Sequence, residues 1–214
     1  MSMQVLATNK TSILHAVKTL QKGGAVVYPT DTSYGLGVDA MNLSAVKKLY
    51  KIKRRGSKKP VHVVVSSQAQ AQKLVRMSPL SVKLFKNLLP GPLTLVLRLK
   101  AKNRSLRTLS AGTGSLGIRM PKNNVALRLV RALGRPITAT SANPSRDLSG
   151  GYDAYSAKEV ILQFRKKKHK PDLVLDGGRL RKVRPSSVVA IVDERVKIIR
   201  EGPISKRRIE NALR

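Results

Sequence analysis

The sequence has no cysteine and few aromatic residues. Cys and Trp are absent, and aromatic residues make up 3% of the 214 positions. Without cysteine there is no disulfide, no thiolate nucleophile and no Cys-based zinc site, and His15, His62 and His169 are too scattered to form a metal cluster. So few rings argue against a stacking platform for single-stranded RNA. Any nucleic acid is therefore expected to bind mainly through its phosphates.

Long apolar runs are also missing. No run is long enough to span a bilayer, and the N-terminal MSMQVLATNKTSIL lacks the basic and apolar regions of a signal peptide. We therefore expect a cytoplasmic protein that does not associate with membranes. Because 41% of the residues are hydrophobic, the chain has enough apolar surface for one sizeable core, and we expect a single domain over residues 1–214.

Negative charge is scarce. The chain has 43 Lys and Arg against 11 Asp and Glu, a formal net charge of +32. Such a field attracts polyanions and raises their encounter rate. No carboxylate side chain lies between Asp39 and Asp147. The middle of the chain therefore cannot supply the paired carboxylates of a general acid and base.

The hydrophobic periodicity alternates between helix and strand. It predicts helices over residues 11–21, 43–53, 68–76, 79–89, 124–133, 155–167 and 203–213, and strands over 25–29, 61–65, 93–99, 116–120, 137–141, 172–176, 186–192 and 196–200. Several strands follow one another with short turns, so we expect an α/β fold with a mixed sheet. In open α/β sheets ligands gather beyond the carboxyl ends of strands, which directs attention to TDTSYGLG, RMP and SANPSRDLSGG.

Two of these loops carry small polar residues. TDTSYGLG offers hydroxyls for a polar substrate and glycines that permit close approach of the backbone. Ser141 to Ser145, followed by Ser149 and two glycines, is suited to cradle phosphate oxygens, although neither GxxxxGK[ST] nor GxGxxG occurs. Each loop is also explained as a turn whose hydroxyls cap its own backbone, and the Ser141–Ser145 loop is the stronger case for a binding site.

The stretch KIKRRGSKKP, residues 51–60, has Lys or Arg at six of its ten positions. A run like this is usually a solvated basic segment at a helix C-terminus, where cations suit the helix dipole. Lys53 and Arg55, however, are two apart where the helix gives way to a loop, so they are able to converge on a triphosphate or a carboxylated intermediate. We expect Arg54, Lys58 and Lys59 to stay on the surface.

Two arginines end apolar strands. Arg119 stands in LGIRMP and Arg200 in IIREGP. Because an unpaired buried arginine is costly, a cation at such a place is more often a ligand clamp, and its bidentate fork suits a carboxylate, including that of an amino acid. Ser186 and Ser187 open the strand SSVVAIV and are also explained as a strand-end cap.

Taken in order, these segments resemble a known family. Residues 8–205 carry GGAVVYPTDTSYGLG, Lys53-x-Arg55 with K-P and an apolar strand, LPGPLTLVL, GIRMP, TSANPS, PSSVV and REGP. The set is similar to the YrdC-like threonylcarbamoyl-AMP synthases of the short, single-domain type. The resemblance implies a twisted, open, mixed parallel and antiparallel sheet with flanking helices and a concave basic site. Lys59 and Val64 stand where some members carry Asn and His.

The resemblance also implies an activity. The family's nucleotidyltransferases join L-threonine, bicarbonate (or carbon dioxide) and ATP into threonylcarbamoyl-AMP and pyrophosphate, with Mg²⁺ bound through the ATP phosphates. A partner transferase complex then modifies the adenosine next to the anticodon of ANN-decoding tRNAs. The alternative is a non-catalytic basic protein of the same fold that binds tRNA or double-stranded RNA. The YrdC-like segment of hydrogenase-maturation proteins is a weaker match, because those proteins carry zinc-finger cysteines.

Matching the family's motifs residue by residue implies the following roles. The catalytic signature falls on Lys53, Arg55, Ser141 and Asn143. Threonine is expected at Thr32, Arg119 and Ser186, with Arg119 on its carboxylate. ATP is expected at Arg55, Ser115, Ala139 through its backbone, Ser141, Ser149 and Arg200.

Overall fold

Strands and helices alternate along the chain, and the computed structural model describes residues 3–145, 150–192 and 194–214. The strands are β1 (Gln4–Ala7), β2 (Val26–Tyr28), β3 (Gly35–Gly37), β4 (His62–Val64), β5 (Leu93–Arg98), β6 (Ser115–Arg119), β7 (Ile137–Ser141), β8 (Leu173–Asp176), β9 (Ser187–Val192) and β10 (Arg195–Arg200). The helices are α1 (Lys10–Gln21), α2 (Leu43–Lys53), α3 (Gln68–Leu74), α4 (Pro79–Leu88), α5 (Arg104–Leu109), α6 (Asn124–Leu133), α7 (Ala157–Phe164) and α8 (Lys206–Asn211).

These strands form one open sheet in the order β1-β8-β2-β3-β7-β4-β6-β5-β9-β10. β8 pairs in parallel with both β1 and β2, β4 with β6, and β5 with β9. The other neighbouring pairs are antiparallel. The sequence prediction of a mixed sheet with flanking helices is therefore confirmed.

Alternate strand residues supply the two faces of the sheet, as the strand period of two requires. Val27, Val63 and Val174 point to the larger core, which is covered by α2, α3, α4, α5, α7 and α8. Their neighbours Val26 and Val64 point to a smaller core under α1 and α6. These two helices leave part of the second face uncovered, and the candidate site lies on that part.

Within the described part of the chain, three elements were not predicted from the sequence: β1, β3 and α5. β1 is an exposed edge strand held by its parallel pairing with β8. β3 is the tripeptide GLG, which pairs with β2 and β7. The glycine at position 35 is needed there because a Cβ would lie 2.9 Å from the Tyr28 ring, which crosses β3 to donate its hydroxyl to the Thr138 carbonyl at 2.8 Å.

The helix α2 begins after a side-chain cap and ends at a residue with a left-handed backbone conformation. Asn42 caps its N-terminus by accepting from the backbone N–H groups of Ser44 and Ala45. At the other end Arg54 adopts the left-handed conformation, with φ 48° and ψ 46°. This turn separates Lys53 from Arg54, so that Lys53 is buried and Arg54 is exposed. No helix among the described residues has the length and apolar composition needed to cross a bilayer.

Candidate active site

A polar cavity of about 320 Å³ lies on the uncovered part of the sheet. Its floor comes from β4, β6 and β7, and its walls from the loop after β2, the end of α2 and the segments around Ser186 and Arg200. Nine residues selected from the sequence line it: Thr32, Lys53, Arg55, Arg119, Ala139, Ser141, Asn143, Ser186 and Arg200. The fold thus brings together residues that are up to 168 positions apart in the chain, counted from Thr32 to Arg200.

Lys53 is the most deeply buried cation of the cavity, with 2% of its surface exposed. Its Nζ donates to the carbonyl of Ser141 at 2.6 Å and to Oδ1 of Asn143 at 3.1 Å. The backbone N–H of Ser145 donates back to the carbonyl of Lys53 at 2.7 Å. Burial of an ammonium is costly unless it is hydrogen-bonded. The lysine and the Ser-Ala-Asn loop therefore form one connected unit.

The Ser141 and Asn143 side chains complete this unit. The hydroxyl of Ser141 donates to Oδ1 of Asn143, and Nδ2 of Asn143 donates to the carbonyl of Pro144 at 2.9 Å. Ser141 ends β7, where it pairs with Gly35 of β3. The loop after β7 thus lies beside the loop after β2, as sequence reasoning predicted. Ser149 lies outside the described residues.

Arg119 occupies the opposite part of the cavity. Its Nη2 donates to Oδ1 of Asp31 and to the hydroxyl of Thr32, the latter at 2.9 Å. Asp31 also accepts the backbone N–H of Lys122 at 3.0 Å. Nε of Arg119 is buried and has no hydrogen-bond partner. The guanidinium is therefore held at one end by Asp31 and Thr32, while one of its donors is left without an acceptor.

Arg200 and Ser186 form a third group. Nε and Nη2 of Arg200 donate to the Ser186 carbonyl at 3.0 and 2.7 Å. The Ser186 hydroxyl lies 3.1 Å from that of Thr94. Its neighbour Ser187 turns away and accepts the N–H of Gly202 at 2.9 Å. The strand-end cap considered from the sequence is therefore the role of Ser187, whereas Ser186 lines the cavity.

The basic segment 51–60 divides as predicted. Arg55 lines the cavity, and its guanidinium closes the turn by donating to the carbonyls of Lys59 and Pro60 at 3.3 and 2.9 Å. Arg54, Lys58 and Lys59 are exposed. Among the described lining residues Lys53, Arg55, Arg119 and Arg200 provide four cations against one carboxylate, Asp153. The cavity is electrostatically suited to anions.

Ser115 is placed differently from the other selected residues. It begins β6, opposite Arg98 of β5, and Arg119 ends the same strand. It is not one of the residues that line the cavity. Its assignment to ATP remains a prediction from the family motif.

Tyr34 connects two segments of the site. Its hydroxyl donates to the Gly178 carbonyl at 2.7 Å and accepts the Gly177 N–H at 3.0 Å. Burial raises the pKa of Tyr34 to about 12, so the phenol stays protonated near neutral pH. The loop after β2 is thereby tied to the segment that leads from β8 toward Ser186.

His62 is a cavity residue that sequence reasoning missed. It points to the same face of β4 as Val64, and both line the cavity. Burial and, after it, the charges of Arg200, Arg119 and Arg55 lower the pKa of His62 to about 4. The signal in the sequence was a single His in the apolar strand VHVVV, two positions from Val64. Thr94 and Asp153 were also missed as lining residues, whereas Thr30 belongs to the selected loop TDTSYGLG.

One protein family and several known proteins match most of this chain. The family model Sua5_yciO_yrdC, described as telomere recombination, matches residues 18–202. The threonylcarbamoyl-AMP synthase of Bacillus subtilis is 36% identical over 209 residues, which are 97% of this chain and 58% of that protein. A putative threonylcarbamoyl-AMP synthase of Methanocaldococcus jannaschii is 33% identical over 191 residues, 88% of this chain and 86% of that protein.

Solved structures agree with this placement. Sua5 of P. abyssi, complexed with L-threonine, has a TM-score of 0.87 at 30% identity, covering 99% of this chain and 61% of that chain. YciO of E. coli has a TM-score of 0.80 at 26% identity, covering 94% of this chain and 96% of that chain. The chain therefore spans about three fifths of the B. subtilis and P. abyssi proteins and nearly all of YciO.

Proposed function

The chain belongs to the Sua5/YciO/YrdC family, and we propose that it is an enzyme that makes threonylcarbamoyl-AMP from L-threonine, bicarbonate and ATP. Family membership alone does not decide the activity, because the E. coli relative YciO is named an uncharacterized protein. The observation that carries the proposal is the single cavity that joins the Lys53 unit to Arg119. Such a site suits one reaction with several anionic reactants.

L-Threonine is assigned to the part of the cavity around Arg119. Its carboxylate would accept from the guanidinium, whose Nε is buried without a partner. The Thr32 hydroxyl already lies 2.9 Å from that guanidinium, and Ser186 lines the same cavity. Support also comes from a relative, since the P. abyssi Sua5 structure is a complex with L-threonine.

ATP is assigned to the part of the cavity around Lys53. Lys53, Arg55 and Arg200 would neutralise the phosphates, and the Ala139 backbone and the Ser141 hydroxyl would add contacts beside them. Ser115, which does not line the cavity, and Ser149 keep their assignment to ATP from the family motif alone. The described residues contain no group of three or more His, Asp or Glu able to hold a metal, so Mg²⁺ is assigned to the phosphates. When bound there, it would offset negative charge on the phosphates.

The proposed chemistry needs positioning more than a reactive side chain. The threonine nitrogen attacks the carbon of bicarbonate, and the resulting carbamate oxygen attacks the α-phosphorus of ATP and displaces pyrophosphate. This is a nucleotidyl transfer in which the enzyme holds negatively charged reactants together. Cations and hydroxyls suffice for this, and carboxylates in the middle of the chain would repel all three reactants.

The product would be used on RNA. Threonylcarbamoyl-AMP is a reactive mixed anhydride, so we infer a partner transferase that passes the group to tRNA, and a cytoplasmic location where ATP and tRNA meet. The net charge of +32 favours direct contact with tRNA or double-stranded RNA. That contact should be nonspecific, with an affinity that falls steeply with salt and is similar for unrelated RNAs. Filter binding at several salt concentrations measures it.

The test of the proposal is L-threonine-dependent release of pyrophosphate from ATP in the presence of bicarbonate. We expect Lys53→Ala and Ser141→Ala to abolish this release. Lys58→Ala is the matched control, because it removes an exposed Lys of the same basic segment and should leave the rate unchanged. Absence of threonine-dependent release by the unaltered protein, with RNA binding retained, would favour the non-catalytic RNA-binding alternative.

A further inference from the structure

His62 lies at the centre of the cavity floor. β4 runs between β7 and β6, and His62 pairs with Ala139 of β7. On the β6 side its ring lies directly over Gly117, where an added Cβ would be 2.4 Å from Cδ2 of the imidazole. Because Gly117 has no side chain, the ring has room at this position. The imidazole therefore stands between the strand that carries Arg119 and the strand that carries Ser141.

The four cations around this ring leave one requirement of the substrate unmet. Lys and Arg side chains only donate hydrogen bonds, so the four cations of the cavity suit carboxylates and phosphates. The α-ammonium of an amino acid is itself a cation and a donor. It needs an acceptor, and it must lose a proton before its nitrogen is able to attack carbon.

A neutral imidazole supplies such an acceptor. The uncharged ring has one nitrogen that donates and one that accepts. Burial and the charges of Arg200, Arg119 and Arg55 lower the pKa of His62 to about 4, so the ring is neutral near pH 7. Among the described lining residues, Asp153 is the one other acidic or basic group besides the four cations and the two tyrosines.

We propose that His62 accepts a hydrogen bond from the α-amino group of the threonine and takes its proton when that nitrogen attacks bicarbonate. This role rests on the proposed function. In the step, the ammonium gives one proton to the imidazole, and the freed nitrogen forms the C–N bond to bicarbonate. The C–OH bond breaks, and the hydroxide leaves as water with a second nitrogen proton. The products are the carbamate, water and imidazolium, so atoms and charges balance.

The bound reactants make this step feasible. In the free protein the three arginines oppose protonation of His62, but the triphosphate and the threonine carboxylate offset their charges. We therefore expect the pKa of His62 to rise when the cavity is filled. NMR titration of the histidine rings should show a rise of about one unit or more on adding L-threonine and a non-hydrolysable ATP analogue. His169 is exposed and is not one of the residues that line the cavity.

Rates of threonine-dependent pyrophosphate release test the role directly. His62→Asn should lower kcat by about 10²–10⁴-fold, the usual contribution of a general base, with a smaller change in the KM for ATP. His169→Asn is the matched control and should retain the full rate. Near-normal thermal unfolding of both variants would show that neither result reflects loss of the fold.

A double-mutant cycle with Gly117 tests whether the position of the His62 ring matters for the rate. Gly117→Ala leaves His62 in place but displaces its ring. Where His62 is present, this single substitution should therefore lower kcat strongly. In a His62→Ala background the added methyl meets no ring, so Gly117→Ala should change the rate by less than about twofold.

Three results would overturn the role of His62. The first is a rate of pyrophosphate release by the His62→Asn variant within about threefold of the unaltered protein. The second is a pKa of His62 that is the same in the free and in the filled cavity. The third is that the effects of Gly117→Ala and His62→Ala on this rate are additive. An unaffected His62→Asn together with an inactive Asp153→Asn would assign the proton to Asp153. If the unaltered protein shows no threonine-dependent release, the proposed function itself fails.

Discussion

The ion pair between Arg119 and Asp31 allows a stability prediction with a clear magnitude. Only 12% and 10% of the two side chains are exposed. Asp31→Ala leaves the guanidinium with the Thr32 hydroxyl alone and removes the acceptor of the Lys122 N–H. Breaking a buried pair by removing one partner costs about 3–5 kcal/mol, because the remaining charge stays buried without compensation. We expect a loss of that size in the free energy of unfolding.

The control is an oppositely charged pair at the surface. Lys206 and Glu210 lie 3.8 Å apart on α8, with 69% and 55% of their side chains exposed. Such an i,i+4 pair contributes about 0.3–0.5 kcal/mol, so Glu210→Ala should have little effect. Urea unfolding at one salt concentration compares both variants.

Adding Arg119→Met to Asp31→Ala makes the test decisive. The double variant buries neither charge, so it should be more stable than the Asp31→Ala variant, although it has one interaction fewer. A cost of Asp31→Ala below about 1 kcal/mol, or a double variant less stable than either single one, would refute the assignment of a buried, mutually compensating pair.

Two further predictions concern stability. Because the pKa of His62 is lowered from 6.5 to about 4, the unfolded chain binds a proton there more readily, so stability is complete above pH 6.5 and falls by at most roughly 3 kcal/mol toward pH 4. Urea unfolding at pH 7 and pH 4 should show this fall in the unaltered protein and a smaller one in His62→Asn; equal falls would contradict it. Arg54→Gly relieves the left-handed conformation at φ 48° and should raise the free energy of unfolding by about 0.5–1 kcal/mol. If Arg54→Gly instead lowers the free energy of unfolding in the same assay, the Arg54 side chain stabilises the fold by more than its left-handed backbone conformation destabilises it.

Elements whose signal lies within a few neighbouring residues were predicted from the sequence, and elements that depend on pairing with a distant strand were not. The amphipathic face of α2 and its end after Lys53 were readable because hydrophobic spacing and capping act within one or two turns. β3 was not, because GLG has the composition of a loop and becomes a strand only through its pairing with β2 and β7. β1 likewise depends on β8, which lies far along the chain.

The same limit applied to the site. Arg119 and Arg200 stood out because a cation at the end of an apolar strand has few structural explanations. His62 did not, since a single histidine in an apolar strand is usually a core residue. Only the register of β4 between β6 and β7 places its ring over Gly117 and near three arginines.

Several hydrogen bonds in the cavity join residues that lie far apart in the sequence. Lys53 to Asn143, Thr94 to Ser186 and Asp31 to Arg119 join residues that are 90, 92 and 88 positions apart. Contacts of this kind form only after long loops have closed, so the cavity is assembled late and from the whole chain. On a ribosome, Arg200 is made long after Thr32. A reactant that fills the cavity would therefore clamp early and late segments together and raise the unfolding temperature of the entire fold.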